Sequence, residues 1–201
     1  MVEIVSALAG HLRPGRYGTD RKGQGVTLRE VTGRDLVQVA AWRGTLPAVK
    51  QRLSAALGVP MPEGTRAATA SGQITVLPIA PDKLWIAAPR GEKLHERLSA
   101  LIPIAEGVVT ELGHARTVVR MSGPSARDIL ARNFAVDLHP DAFPPGSFAS
   151  SSMHHVGTLL HYVRDLGGDP IFDLYLTRSF ALSLFEGLCE NALAFGYTIE
   201  T

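Results

Sequence analysis

Between Val108 and Pro140 the chain reads VVTELGHARTVVRMSGPSARDILARNFAVDLHP, a stretch with few ways to fold. Thr117 to Met121 is β-branched and apolar, the make-up of a strand. Ser122-Gly123-Pro124 then forces a tight turn. Pro124 suits the first turn of a helix, where its missing N–H leaves no bond unmade, and Ser122 or Gly123 is placed to cap. A short amphipathic helix follows.

Upstream, strands and helices alternate. Val26 to Val31 and Leu36 to Trp42 read as strands around a Thr32-Gly33 turn. Thr45 is placed to cap a helix carrying Leu46, Val49, Leu53 and Leu57 on one face, ended by Gly58. Ile74 to Ile79 and Leu84 to Ala88 form another strand pair across Pro81-Asp82, and a helix from Gly91 to Ile102 keeps Leu94, Leu98 and Leu101 in step. Strand, strand, helix thus recurs, which suggests two similar half-units. The expected fold class is α+β, with mixed, mostly antiparallel sheets covered by helices.

Downstream, Ser150 to Val163 and Pro170 to Leu176 read as strands joined through Gly167-Gly168-Asp169. Ser179 is placed to cap a last helix on which Phe180, Leu184, Leu188, Ala192 and Phe195 share a face. PMPEGTRAATASG, around Gly64, reads as an internal loop, and no domain linker stands out. Residues 26–201 are therefore expected to form a single α+β domain.

At 201 residues the chain can bury about 70 per cent of its unfolded surface and needs no covalent staple. Cys189 is the only cysteine, which excludes an intramolecular disulfide, and its apolar helical setting favours a buried structural thiol over a nucleophile. Met1 to Gly10 has neither the basic start nor the apolar run of an export signal, and no apolar stretch reaches about 18 residues. The expected compartment is the cytoplasm. A net charge of +1 gives no general attraction to nucleic acid or anionic membrane. The charge is unevenly placed, however: His11, Arg13, Arg16, Arg21 and Lys22 crowd one segment with Asp20 as its only acid. That segment has no apolar period, so residues 1–25 are expected to be a basic, glycine-rich arm that needs a surface to lie on.

No catalytic constellation stands out. Gly23-Gln24-Gly25 lacks the Lys-Ser/Thr of a phosphate-binding loop and follows no strand, so a hinge is the better reading. His154 and His155 fall on the expected strand, where neighbours point to opposite faces and cannot easily share an ion; with His161 they read as solvated or hydrogen-bonded histidines rather than metal ligands. Ser147 and Ser150 to Ser152 lie near histidines and Asp141, but nothing resembles the G-x-S-x-G turn of a hydrolase nucleophile. Asp165, Asp169 and Asp173 line a hairpin and its outgoing strand, where turn chemistry accounts for them.

The spelling V-x-E-L-x-H-x-R-x-V-x-R-x-S-G-P-x-A-R-D-x-L resembles the γ subunits of heterotetrameric sarcosine oxidases, relatives of the folate-binding half of aminomethyltransferases. RPGRYG, GQGVTLRE and RDLVQVAAW look like the opening of such subunits; FPPGS and FDLYLTRSFALSLFEGL look like their closing third. The resemblance implies the aminomethyltransferase folate-domain fold and an accessory role. In such complexes, it implies, an α subunit binds NAD and carries the folate domain and a β subunit carries flavin and the amine oxidation site. The cofactors would be FAD, FMN, NAD and tetrahydrofolate, none of them in this chain. Sarcosine would be oxidised to glycine and hydrogen peroxide, with the one-carbon unit passed to tetrahydrofolate. Folate-binding relatives are expected to carry paired aspartates on the strand matching His154 to Tyr162, where this chain has none and Gly157 and Thr158 fall near the position. No catalytic, cofactor or metal residue is therefore expected. The α and β subunits are the expected partners, with Arg13, Arg16, Tyr17 and Arg21 as the candidate interface. An autonomous folate-binding protein and an assembly factor are the alternative readings.

Overall fold

The computed structural model describes residues 5–19, 24–91 and 93–201. In chain order its strands are β1 (Gly15–Tyr17), β2 (Val26–Glu30), β3 (Arg34–Ala41), β4 (Thr69–Ser71), β5 (Ile74–Ala80), β6 (Lys83–Pro89), β7 (Gly107–Glu111), β8 (Arg116–Ser122), β9 (Phe148–Met153), β10 (Val156–Leu166), β11 (Asp169–Thr177) and β12 (Tyr197–Glu200). The helices are α1 (Leu46–Leu57), α2 (Leu94–Leu101), α3 (Ala126–Ala131) and α4 (Ala181–Ala192). They form two compact units, one from Met1–Thr32 with His114–Thr201 and the other from Gly33–Gly113. The class is α+β, as expected, and no helix among the described residues is long and apolar enough to cross a membrane.

The discontinuous unit holds a seven-stranded sheet in the order β1-β12-β2-β8-β11-β10-β9. Its neighbours are antiparallel except for the parallel pair β12 and β2. Strand β8 shows why the sequence chose this state: Thr117, Val119 and Met121 are buried while the residues between them are only half-buried, the period of two that a pleated strand imposes. Leu28, Met121, Phe172 and Leu160 form the core with Ile129 and Leu130 of α3 and Leu184 and Leu188 of α4. Arg127, the second residue of the motif helix, lies over the rings of Tyr162 at 4.6 Å and Phe172 at 5.5 Å. Its guanidinium also donates to the carbonyls of Leu138 and Phe143, which fastens the irregular segment after α3 to the sheet. The arginine of the S-G-P-x-A-R pattern is thus a structural clamp.

The contiguous unit holds an all-antiparallel sheet in the order β4-β5-β6-β3-β7. Val49 and Leu53 of α1 and Leu94 and Leu98 of α2 cover Val37, Val39, Val76 and Ile86. Gly58, with φ of 64°, ends α1 in the left-handed conformation its position called for.

Several local expectations are corrected. Thr32-Gly33 is no hairpin turn: β2 pairs with β8 and β12, whereas β3 pairs with β6 and β7. A period of two identifies a strand but not its partner, and these partners are distant in sequence. The described part of the expected arm has a surface in its own unit. Leu8 is fully buried, β1 pairs with β12, and Tyr17 stacks on Tyr197 at 5.1 Å, so a few well-placed apolar groups suffice to fix it.

Ser150 to Val163 is not one strand. His154 and His155, with φ of 48° and 65°, make the two-residue turn between β9 and β10. Both central residues of such a turn need φ > 0, a demand usually met by Asn-Gly, so a His-His pair does not announce it. Thr45, Ser125 and Phe180 precede their helices without side-chain capping bonds, and Ser179 sits inside a short 3-10 turn. The Thr45 hydroxyl bonds instead to the carbonyls of Trp42 and Glu106. Pro124 lies in the turn ahead of α3 rather than in its first turn.

Candidate functional site

Glycines from separate sequence motifs meet in the discontinuous unit. A β-carbon added to Gly123 of the Ser-Gly-Pro turn would stand 2.5 Å from the carbonyl oxygen of Gly25. One on Gly25 would stand 3.0 Å from that of Gly196, and one on Gly196 would stand 2.4 Å from that of Thr19. Backbone packs directly on backbone, and only glycine permits it. Gly25 is therefore occupied in packing rather than in cradling a phosphate; Gly23 lies outside the described residues.

A crevice of about 440 Å³ opens beside this crossing. Strand register gives its floor: Arg16, Thr198, Thr27, Ser122 and Ile171 are successive cross-strand partners along β1, β12, β2, β8 and β11, so their side chains share one face. Phe195 and Pro124 add apolar wall. Hydroxyls flanked by a guanidinium can hold and orient a polar or anionic group.

Two residues further along the strands, Glu200, Arg29, Arg120, Asp173 and His161 form the next row. Asp173 accepts both bonds of a bidentate pair from Arg120, at 2.6 and 2.7 Å, and is only 4% exposed. The pair raises the already high pKa of Arg120, chiefly through that bond, against the opposing effect of burial. Turn chemistry does not account for Asp173. The missed signal was Arg120 itself, a charge in the middle of an apolar strand that needs a counter-charge on the next one. Asp165 accepts a bond from the Tyr162 hydroxyl, and Asp169 opens β11 at the rim of the crevice. His161 is buried opposite Asp173, while Thr158 is buried and bonds to the Val156 carbonyl. Among the described residues no group of three potential metal ligands converges.

The candidate interface residues divide between two hollows. Arg16 and Tyr17 line the crevice, whereas Arg13 and Tyr17 line a second hollow of about 500 Å³ against Phe185 and Cys189 of α4. Arg21 lies outside the described residues. Burial pushes the Cys189 thiol up from 9.0 to about 11, with the nearby carboxylates of Glu186 and Glu190 adding to the shift and a hydrogen bond with Tyr197 opposing it. The Tyr197 hydroxyl is raised too, again first by burial. Alkylation of Cys189 by iodoacetamide at pH 8 should therefore run roughly 100-fold slower in the folded chain than after unfolding. Equal rates would contradict a thiol held neutral. The linkage has a definite sign. The unfolded thiol gives up its proton first, so the stability held in the neutral thiol is present below about pH 9 and declines as the pH rises toward about 11.

Comparison with known proteins agrees with this architecture. Residues 42–192 match the model of the sarcosine oxidase, gamma subunit family. The chain is 34% identical over 137 residues to a sarcosine oxidase subunit gamma from Arthrobacter sp., covering 67% of this chain and 66% of that protein. It spans about two thirds of that relative's length. It is 29% identical over 162 residues to the subunit gamma of Corynebacterium sp. strain P-1, covering 78% and 79% of the two chains. Among solved structures, it overlays a chain of the heterotetrameric sarcosine oxidase from Corynebacterium sp. U-96, solved in complex with pyrrole 2-carboxylate, with a TM-score of 0.77 at 24% identity over 89% of each chain. It also shares its fold with the glycine cleavage system aminomethyltransferase T from Bartonella henselae, at a TM-score of 0.60 and 16% identity, over 88% of this chain and 47% of that one. With most of its length matched by the family model and its fold shared with a chain of the solved oxidase, this protein belongs to the sarcosine oxidase γ subunit family.

Proposed function

We propose that the chain is the non-catalytic γ subunit of a cytoplasmic heterotetrameric sarcosine oxidase. In that role it supports larger subunits that demethylate sarcosine oxidatively to glycine and pass the one-carbon unit to tetrahydrofolate. The observation that carries this reading is the family match over residues 42–192, joined to a chain-length overlay on a chain of a heterotetrameric oxidase. The flavin, NAD and folate of such a complex would reside in the larger subunits. The part played by this chain's residues is structural: Arg127 and the Arg120–Asp173 pair hold the sheet rigid, and the exposed Arg13 and Arg16 offer cations to a partner.

Co-expression with the two larger subunits tests the reading. The tagged chain is expected to bring down both subunits together with flavin colour and sarcosine-dependent peroxide release. Purified alone, it should be colourless and inactive toward sarcosine. Flavin absorbance or peroxide release by the isolated chain would overturn the accessory role, and so would failure to recover the larger subunits.

A further inference from the structure

The contiguous unit carries a surface that its own fold does not use. Strand β7 is an edge, bonded on one side to β3. Two ladder bonds fix which way its groups point. Trp42 donates to the carbonyl of Glu106 at 2.9 Å and Leu112 to that of Leu36 at 2.8 Å. By antiparallel alternation Val108 and Thr110 bond inward, and Val109 and Glu111 turn their N–H and C=O groups outward. The other edges are protected: β1 and β4 have three residues each, and β9 exposes serines. Gly-Val-Val-Thr-Glu has neither the lysine nor the proline that usually guards an open edge.

Beside this edge lie apolar side chains left in solvent. Trp42 is 45% exposed, Val108 42% and Ile104 89%. Trp42 and Val108 lie on the same sheet face, because Val108 is paired with Ala40, two residues before Trp42. The indole is held in place, with its Nε1 donating to the Ile104 carbonyl at 2.7 Å. A fixed tryptophan on the surface loses little freedom on contact and is the side chain most often found at the energetic centre of an interface. The charges are arranged unevenly around it. Glu106, at the start of the strand, is neutralised by Arg52 at 2.9 Å. At the far end Glu111 shares a hollow with Asp35 and Glu96, which bind Arg90 at 3.7 Å and Lys93 at 3.4 Å. Lys93 and His95 line the same hollow, and among the described ion pairs Glu111 takes part in none, which leaves its carboxylate available to a cation on an incoming chain.

We propose that β7 receives an extended segment of a larger subunit as an added strand, with aliphatic side chains on Trp42, Ile104 and Val108 and a lysine or arginine opposite Glu111. The inference rests on the subunit reading and names the surface through which the chain would join its complex. It differs from the basic N-terminal segment, which the sequence pointed to, in being apolar and backbone-directed. Open strand edges recruit extended segments in this way: main-chain bonds supply affinity and alternate side chains supply specificity.

The test uses the full chain co-expressed with both larger subunits. Val109→Pro removes an outward N–H that no bond of the sheet uses, and Ile104→Asp changes a side chain that the fold leaves in water. Ile104→Asp is expected to melt as the parent chain does, and Val109→Pro, whose side chain packs on the core of its unit, to be compared with a Val109→Ala control that loses the same packing but keeps the N–H. Ile104→Asp and Val109→Pro are expected to be recovered with the larger subunits at about one tenth of the parent's yield or less, and the Val109→Ala control at the parent's yield. Recovery of the parent chain combined with undiminished recovery of both variants would overturn the edge proposal and leave the subunit reading intact. A parent chain that recovers neither subunit would overturn both. A parent chain that dimerises alone, with both variants monomeric and fully able to assemble, would make the edge a self-contact and overturn the proposal.

Discussion

Replacing Asp173 by alanine is expected to cost about 3–5 kcal/mol of unfolding free energy, the usual range when one partner of a buried ion pair is removed. Arg120 would keep its charge in a largely buried place and lose both bonds at 2.6 and 2.7 Å. It would also be left beside the like charge of Arg29 in the register of β2 and β8, with Glu200, opposite Arg29, the remaining acid of the row. Urea unfolding followed by fluorescence measures the loss. The double substitution Arg120→Met with Asp173→Leu should recover most of it, since an apolar pair does not strand a charge. A single variant within 1 kcal/mol of the parent would show that the pair is dispensable, and a double variant no better than the single would locate the cost in packing.

Alanine at Gly196 is expected to destabilise by about 2–5 kcal/mol, and Gly58→Ala by only about 1 kcal/mol. Both glycines have positive φ, 79° and 64°. What separates them is space: an alanine at 58 meets nothing within 4 Å, whereas one at 196 meets the Thr19 carbonyl oxygen at 2.4 Å. That contact cannot be relieved by rotating a side chain. The backbone of the crossing must move, and with it the bond from Val26 to the Gly196 carbonyl at 3.1 Å that closes the junction of β2 and β12. Denaturant midpoints with unchanged slopes provide the comparison. Equal losses at the two positions would mean that the positive φ alone, and not the close approach, demands glycine at 196.

The elements of this fold were largely legible because they rest on local rules. The helix ending at Gly58, the hairpin through Gly167-Gly168 and the strand before Ser122 each follow from periodicity or from a residue that tolerates φ > 0. What could not be read was pairing across distance. Thr32-Gly33 looks like a hairpin turn, yet it is where the chain passes from one sheet to the other. His154-His155 makes a turn with residues that rarely make one. The site shows the same division. Arg16 and Tyr17 were visible as a charged, aromatic interruption in a glycine-rich run, but their alignment with Thr198, Thr27 and Ser122 depends on strand register. Arg120 and Asp173, far apart in sequence, become partners only once β8 lies beside β11.

Strand β12 sits between β1 and β2, so the order in which the polypeptide is made bears on how it folds. Every strand of the Gly33–Gly113 unit finds its partners within that stretch, and this unit can complete its sheet once its last strand has left the ribosome. The other sheet cannot. Its N-terminal strands β1 and β2 must wait unpaired with each other until Tyr197–Glu200 arrives and joins them through one antiparallel and one parallel ladder. Until then the apolar side chains of Val26 and Leu28 have no finished core, which makes the interval before β12 emerges the period when a nascent chain is most exposed to aggregation and most in need of a chaperone.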